Sequence, residues 1–535
     1  MKKLFLISSL VLMTISIFLN RDELYAQAVA SPAISQPNNA GPLIYGELLN
    51  PDSLGDLRIV FTPYYFAKRH TARQEEIFPK LESGTFFDGV VDPRAKKFLV
   101  QAPSFDRPIH FSVLLGKRKL LDNYILFPGD SIKISINLQD NFLMFGGPDG
   151  AGLELQYQLD RLKHQKEFEL PRTILTANPE AIFTEKKYRD QWEAQKTVFG
   201  ARLEFEELNK DVFDKKISEL ERLDSTIFPY LALAEKFGNS LTLEKKDLIL
   251  LELYGSHYHP LVYSFYVFYF SEMPRFFNEK ELKVMHERTR SALVKFPGPK
   301  FSKQAQLVSS TWMDMELARL CVLSLIENKP FLDILNSNHS GEVADRLATA
   351  FLTKDLGRYP DPKSILSQYL AQMKYSPWKD KVLALKSATV PGEPIIDLEL
   401  EDLKGDKFKF SKLFGRPTII YYYFSTCTFS ARYFKEMLFP LYEKTAKAMG
   451  VDLIAVSVDE DRNLWLAQLD EFSDPSIPTY RMFGAPKKIW YEHYAVRGYP
   501  KTIFIDSAGI IKSFGLSRKS YGEFESDFLK VVKGL

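Results

Sequence analysis

The chain has 535 residues, which corresponds to three or four domains at about 150 residues each. Apolar residues make up 45% of the chain and charged residues 26%, as in ordinary soluble globular proteins. The formal net charge is +2, so the chain has neither the basic field that binds nucleic acid nor an acidic tail. These features exclude a charge-driven nucleic-acid partner and favour a large multidomain protein.

The N-terminus has the pattern of a secretory signal peptide. Two lysines precede a mostly apolar run at 4–19, and the small residues Ala26 and Ala28 provide a cleavage site. We therefore expect 1–28 to be a cleaved signal peptide, with an uncleaved anchor as the alternative. The apolar run is not followed by a cysteine, which argues against a lipoprotein. No later segment has the length and apolar character of a membrane span, so none is expected after cleavage.

The next region is predicted to be β structure. Residues 29–40 are rich in Ala, Ser, Pro and Asn and are predicted to form a flexible leader. From 41 to 150, short apolar runs are separated by turn signals. Ile132, Ile134 and Ile136 alternate with polar residues, which is the period of a half-buried strand. The region 41–150 therefore predicts an all-β sandwich or barrel.

The region 151–387 is predicted to be an α-helical domain. Its apolar residues follow the spacing of amphipathic helices, most clearly at 213–233 and 243–253. His257 and His259 lie in this region and resemble a metal-binding pair. Their aromatic, helical context favours packing instead, and no further ligand cluster is near in the sequence, so we predict no metal site.

The region 388–535 returns to alternating strands and helices. The run 417–424 has almost no polar residue, as expected of a central strand buried on both faces. A helix is predicted at 431–449 and a second buried strand at 451–458. A further helix, two short strands and a closing helix follow. This order predicts a β-α-β unit followed by β-β-α, which is an α/β domain.

Several motifs of the C-terminal region resemble the thioredoxin-like disulfide reductases of the bacterial envelope, the TlpA and ResA group. The lead-in PGEPIIDL begins at Pro391, VSVD ends at Asp459, and YAVRGYPKT occupies 494–502. More weakly, 84–86 and 127–132 resemble the β domain that precedes such reductases in Bacteroidetes. The resemblance implies a thioredoxin fold, thiol–disulfide exchange without a cofactor, and a place in the periplasm or cell envelope.

The active-site motif departs from the family in a consistent way. The first cysteine of the family's Cys-x-x-Cys motif begins a helix, where unsatisfied amides favour the thiolate, and Cys427 matches that position. Ser430 stands where the second, resolving cysteine is expected. Tyr421 replaces the buried acid that many thioredoxins carry six residues before the first cysteine. The usual dithiol chemistry is therefore not expected.

The resemblance also implies a substrate-binding loop. Pro500 matches a proline that is cis in the family and lies beside the thiol. The backbone of Tyr499, the residue before it, is expected to pair with an extended substrate segment. Thr426 and Phe429 flank the thiol in the sequence and are included among the expected substrate contacts.

Three functions follow from these residues. The first is exchange by Cys427 alone, with envelope proteins or peptides as substrates and an external thiol resolving the mixed disulfide. The second is a degenerate domain that binds a protein or peptide without turnover. The third is a one-cysteine peroxidase. The peroxiredoxin pattern needs Thr and Pro where this chain has Phe424 and Ile420, which disfavours the third function.

The remaining candidate residues receive structural interpretations. Cys321 lies in an apolar run with helical spacing, which predicts a buried, inert thiol. A bridge or relay between Cys321 and Cys427 is the alternative. Asp459 and Asp461 follow a predicted strand, and this acidic pair is interpreted as the solvated start of a helix.

Overall fold

The structure of the protein is a computed structural model. The described residues are 41–49, 55–67, 70–71, 74–86, 94–139, 142–170, 172–175, 183, 185–200, 203–295, 301–356, 361–494, 496, 498–516 and 520–533. The signal peptide and leader predicted at 1–28 and 29–40 lie outside them. Within the described residues, none of the helices combines the length and apolar character that a membrane crossing requires.

The strands and the main α-helices are numbered along the chain. The strands are β1 (Leu43–Leu49), β2 (Leu57–Thr62), β3 (Tyr65–Ala67), β4 (His70–Thr71), β5 (Glu75–Ile77), β6 (Glu82–Ser83), β7 (Ala95–Gln101), β8 (Ile109–Leu115), β9 (Arg118–Leu126), β10 (Ser131–Asn137), β11 (Phe142–Gly146), β12 (Arg172–Leu175), β13 (Leu203–Glu206), β14 (Glu399–Glu401), β15 (Lys407–Lys409), β16 (Thr418–Tyr423), β17 (Asp452–Ser457), β18 (Thr479–Arg481), β19 (Lys501–Ile505) and β20 (Ile511–Ser513). The helices are α1 (Gly150–Glu169), α2 (Lys186–Phe199), α3 (Lys210–Glu221), α4 (Leu223–Thr226), α5 (Phe228–Glu235), α6 (Leu243–Ser264), α7 (Glu279–Val294), α8 (Lys303–Val308), α9 (Ser310–Glu327), α10 (Phe331–Asn338), α11 (Glu342–Asp355), α12 (Pro362–Gln372), α13 (Trp378–Thr389), α14 (Thr428–Tyr433), α15 (Arg462–Ala467), α16 (Leu469–Phe472), α17 (Gly484–His493) and α18 (Tyr521–Lys533).

The chain divides into two compact units. Among the described residues, the first unit comprises 41–63 and 74–158, and the second comprises 64–71 and 159–533. The first unit contains a five-stranded sheet in the order β11-β10-β1-β7-β6 and a four-stranded sheet in the order β5-β2-β8-β9. Strands β1 and β10 are parallel, and the other neighbours are antiparallel.

The core of the first unit lies between the inner faces of these two sheets. Ile44 and Leu48 of β1 alternate with less buried residues, and they share one apolar cluster with Ile59 of β2 and Phe111 of β8. This alternation is the period expected of strands with one buried face. The sequence prediction of an N-terminal all-β region is confirmed.

The helical region of the second unit runs from residue 159, within α1, to α13. The longest helix, α6, begins at its cap residue Thr242, whose hydroxyl accepts a hydrogen bond from the Lys245 amide. Helix α9 packs along α6, and Gly255 of α6 makes this possible because a Cβ there would meet the backbone of Trp312. The helical middle region predicted from the sequence is confirmed.

Two short β elements also belong to the second unit. Strands β12 and β13 form a parallel pair between helices of the middle region. Strands β3 and β4 form a hairpin that packs on α13, with Tyr64 and Phe66 edge-on to the Trp378 ring at 5.8 and 5.6 Å. Neither pair was predicted, since strands this short leave little periodicity in a sequence.

The C-terminal part of the second unit is the predicted α/β domain. Its sheet has the order β15-β14-β18-β17-β16-β19-β20. Strand β16 runs parallel to β17 and antiparallel to β19, so the carboxyl ends of β16 and β17 meet at the same edge. Helix α14 and the helical segment that continues it to Met449 connect β16 to β17.

Strand β16 separates two apolar cores. Ile419, Tyr421 and Tyr423 face one core, which α18 covers with Phe524 and Phe528. The intervening Ile420 and Tyr422 face the other core, which contains Trp490 of α17. A strand buried on both faces explains the apolar run in the sequence. The thioredoxin-like architecture predicted for the C-terminal domain is confirmed.

Candidate active site

Cys427 follows the turn after the carboxyl end of β16 and occupies the N-cap position of α14. Its backbone is extended, with φ −90° and ψ 96°. The Cys427 amide donates to the Phe424 carbonyl at 3.1 Å, which closes a turn, and its own carbonyl accepts from the Ser430 amide at 2.9 Å. The strand, turn and helix therefore place the cysteine at a helix N-terminus.

Exposure differs sharply among the residues around Cys427. The cysteine itself is 9% exposed and belongs to the core cluster that contains Tyr421. Thr426 and Thr428 are exposed, and Phe429 is 75% exposed. The Phe429 ring thus offers an exposed apolar surface beside the mostly buried Cys427 thiol. An apolar residue of a substrate can cover this surface.

Ser430, which stands at the position of a resolving cysteine, is fully buried. Its hydroxyl has no hydrogen-bond partner among the described residues. The Tyr421 hydroxyl donates to the Ser430 carbonyl at 2.8 Å and thereby ties β16 to the first turn of α14. Burial raises the pKa of Tyr421, so this phenol stays protonated at neutral pH. The structure has no disulfide between Cys427 and Cys321, so the alternative of a bridge between them is wrong.

The loop before β19 lies beside the turn that leads to Cys427. The Tyr499–Pro500 peptide bond is cis. The Tyr499 ring meets the Phe424 ring edge-on at 5.5 Å, and the Tyr499 hydroxyl donates to the Tyr491 hydroxyl at 2.9 Å. Burial and this hydrogen bond raise the pKa of Tyr499. The structure thus brings the Tyr499 loop and the Cys427 turn together.

Asp459 belongs to this site, although its place in the sequence indicated a solvated position. It is buried, and its carboxylate accepts hydrogen bonds from the Ser425 amide at 3.0 Å and from the Ser425 and Ser457 hydroxyls at 2.5 and 2.6 Å. Asp461, in contrast, caps α15 by accepting from two backbone amides. The interpretation of both acids as a solvated helix start is therefore wrong for Asp459.

The other candidate residues have structural surroundings. Cys321 lies within α9 and is buried. His257 lies on α6 with its Nε2 atom 2.8 Å from the Thr226 hydroxyl, and burial lowers its pKa. Within the part of the chain that the structure describes, no group of three or more His, Cys, Asp or Glu side chains is arranged to hold a metal ion.

Comparisons with known proteins identify the domain that carries this site. Residues 391–514 match the AhpC/TSA family. A comparison with curated protein sequences found no significant match. The C-terminal part of the chain thus has a thioredoxin-like fold and matches this family over those residues.

Among solved structures, two similar chains come from Bacteroides species. The thioredoxin domain of a thiol-disulfide oxidoreductase from Bacteroides vulgatus is 21% identical, with a TM-score of 0.23, over 27% of this chain and 98% of that chain. A thiol:disulfide interchange protein from Bacteroides sp. is 20% identical, with a TM-score of 0.24, over 27% of this chain and 90% of that chain.

Proposed function

We propose that the C-terminal domain carries out thiol–disulfide exchange through Cys427 alone. The observation that carries the proposal is the position of this thiol. Cys427 begins a helix beside the Tyr499–Pro500 loop, and a buried serine stands three residues later. Thiol–disulfide exchange is also what the resemblance to the TlpA and ResA group implies.

The position of Cys427 at the start of α14 supports its role as the nucleophile. The first amides of a helix have no intrahelical acceptors, and their partial positive charge stabilises a nearby thiolate. The thiolate is the species that attacks a disulfide. No such field acts on Cys321, which lies in the middle of α9.

The proposed reaction needs one protein thiol and one external thiol. The Cys427 thiolate attacks a substrate disulfide, a new bond forms between Cys427 Sγ and one substrate sulfur, and the other substrate sulfur leaves as a thiolate. An external thiolate then attacks the substrate sulfur of the mixed disulfide and releases Cys427. Attack by a second thiol of the same substrate instead produces disulfide isomerisation.

The proposed substrates are polypeptides with disulfides or thiols in the cell envelope. The exposed Phe429 ring offers an apolar contact beside the thiol, and the backbone at Tyr499 offers a place for an extended segment. The proposed location in the periplasm or envelope rests on the N-terminal sequence pattern and on the resemblance. Thr426 is exposed next to Cys427, and we include its side chain among the proposed substrate contacts.

Binding without turnover is the second candidate. The burial of Cys427 in the core cluster favours it, since a thiol with little exposed surface meets a disulfide less readily. Binding by the same residues would retain a role for Phe429 and Tyr499 but none for the sulfur.

Treatment of the intact protein with oxidised glutathione separates the two candidates. Exchange predicts one glutathionyl group on Cys427 that persists until an external thiol is added, since Ser430 offers no second thiol. The Ser430→Cys variant is the matched control, in which the introduced thiol should expel glutathione and close a disulfide with Cys427. A folded wild type that gains no adduct on Cys427 contradicts exchange and leaves binding.

A further inference from the structure

The carboxylate of Asp459 holds the segment that ends on Cys427. Strands β16 and β17 pair until the Val458 amide donates to the Tyr423 carbonyl at 2.9 Å. Beyond that point the chain of β16 turns away towards α14. The Ser425 amide there donates to both oxygens of Asp459, at 3.2 and 3.0 Å. Asp459 thus continues the link between the two strands with a side chain.

The side-chain bonds of Asp459 converge on one oxygen. Oδ2 accepts from the Ser425 hydroxyl at 2.5 Å, the Ser457 hydroxyl at 2.6 Å and the Ser425 amide at 3.0 Å. Oδ1 accepts the longer of the two bonds from the Ser425 amide. The serine side chains are buried as well. This network fixes Ser425, which lies two residues before Cys427.

Placing the Asp459 carboxylate in this buried turn costs free energy, because the group is removed from water. Among the described residues, no ion pair joins Asp459 to a lysine, arginine or histidine, and its hydrogen bonds come from the neutral Ser425 and Ser457 groups. Asp459 therefore holds the Cys427 turn, whose Phe424 ring meets the Tyr499 ring of the neighbouring loop at 5.5 Å.

We propose that Asp459 is a positioning residue for exchange at Cys427. Its hydrogen bonds to Ser425 hold the turn so that the sulfur stays at the N-terminus of α14 and beside the Tyr499–Pro500 loop. This role rests on the proposed function and goes beyond it, since the carboxylate itself touches neither the substrate nor the sulfur in the reaction.

Two variants of Asp459 test the role in the full-length protein, with oxidised glutathione as the probe. Asp459→Ala should slow adduct formation on Cys427 by about tenfold to a hundredfold, because small displacements of a reacting group have effects of this size. Asp459→Asn should recover part of the rate, since its amide oxygen can replace Oδ2 and accept from the Ser425 and Ser457 hydroxyls. Asp461→Ala is the matched control, which loses a helix cap nearby and should keep the wild-type rate.

The outcomes distinguish this role from the proposed function. A wild type that forms no adduct overturns the proposed function and this role with it. A reactive wild type overturns the role alone if Asp459→Ala reacts at the wild-type rate, if Asp459→Asn is as slow as Asp459→Ala, or if Asp461→Ala is slowed equally. If Asp459→Ala does not fold, the rate of Asp459→Asn decides the test. A recovered rate then supports the role, and a lost rate overturns it.

Discussion

The two cysteines of the chain are both buried, but one lies within a helix and the other at the N-terminus of a helix. Cys321 is 4% exposed in the middle of α9, where its neighbours Leu320 and Val322 are buried too. Cys427 is 9% exposed but begins α14, with exposed residues on both sides of it. Burial alone hardly separates the two thiols. Their positions along the helix separate them, because only a helix terminus leaves backbone amides without intrahelical acceptors near the residue.

The polar groups on these two helices differ in whether they have hydrogen-bond partners. On α9, the buried Glu316 and Arg319 form a two-bond ion pair at 2.7 and 2.6 Å, and His339 adds a third bond to the carboxylate. On α14, the buried Ser430 hydroxyl has no partner among the described residues. The α9 cluster satisfies its charges and serves stability. The α14 site leaves a polar group unsatisfied, which is common where a site has a chemical role.

The largest expected effect is the loss of exchange activity in Cys427→Ser. Reduction of a disulfide-containing peptide by dithiothreitol, accelerated by the wild type, should fall to the rate without protein because the nucleophile is gone. Cys321→Ser, the matched control, should retain the wild-type acceleration. Equal losses in both variants would show that the two thiols do not differ as their positions predict.

Breaking the α9 ion pair should have the next largest effect, on stability. Arg319→Met leaves the Glu316 carboxylate buried with only His339 beside it, and should lower the free energy of unfolding by about 3–5 kcal/mol. Urea denaturation followed by circular dichroism measures this change. Arg290→Met, which removes a half-exposed ion pair with Glu327, should cost at most about 1 kcal/mol. A small loss in Arg319→Met would contradict the stabilising role of the cluster.

The same cluster predicts a dependence of stability on pH. Burial alone would raise the pKa of Glu316, but Arg319 and His339 overcome burial and lower this pKa to about 2, from an ordinary value of 4.5. The stabilisation is therefore complete above about pH 4.5 and is lost as the pH falls towards 2. Urea denaturation at several pH values should show a shallower loss of stability in Glu316→Gln. Identical slopes in the variant and the wild type would contradict this linkage.

The smallest expected effect concerns the exposed ring beside Cys427. Phe429→Ala should raise the KM for a polypeptide disulfide about tenfold, since a buried aromatic contact in an interface contributes more than about 1 kcal/mol. Its rate with oxidised glutathione, which is too small to cover the ring, should not change. Leu403→Ala removes an exposed apolar side chain elsewhere in the domain and serves as the control. An unchanged KM in Phe429→Ala would exclude the ring from substrate binding.

The sequence predicts those parts of the fold and site that depend on local patterns. The apolar run of β16 predicts a central strand because its residues are apolar on both faces, and Ile419 to Tyr423 are buried. The Tyr499–Pro500 loop could be predicted from a continuous string of residues. Strands β12 and β13 could not, because each has four residues and their pairing joins segments far apart in the chain.

Asp459 shows why part of the site could not be predicted. In the sequence it is an acidic residue after a strand, next to two further acids, which favours a solvated position. Its contact with Ser425 depends on the parallel register that places Tyr423 opposite Ser457. That register results from tertiary packing, and no local pattern contains it.

Reactivity of the two thiols within one molecule tests the central claim most directly. A short pulse of iodoacetamide on the folded wild type at neutral pH, followed by peptide mapping, measures both alkylation rates in the same sample. We predict that Cys427 is alkylated at least about tenfold faster than Cys321, because a cysteine at a helix N-terminus reacts faster than one within an apolar core. Equal rates, or faster alkylation of Cys321, would contradict the assignment of Cys427 as the nucleophile.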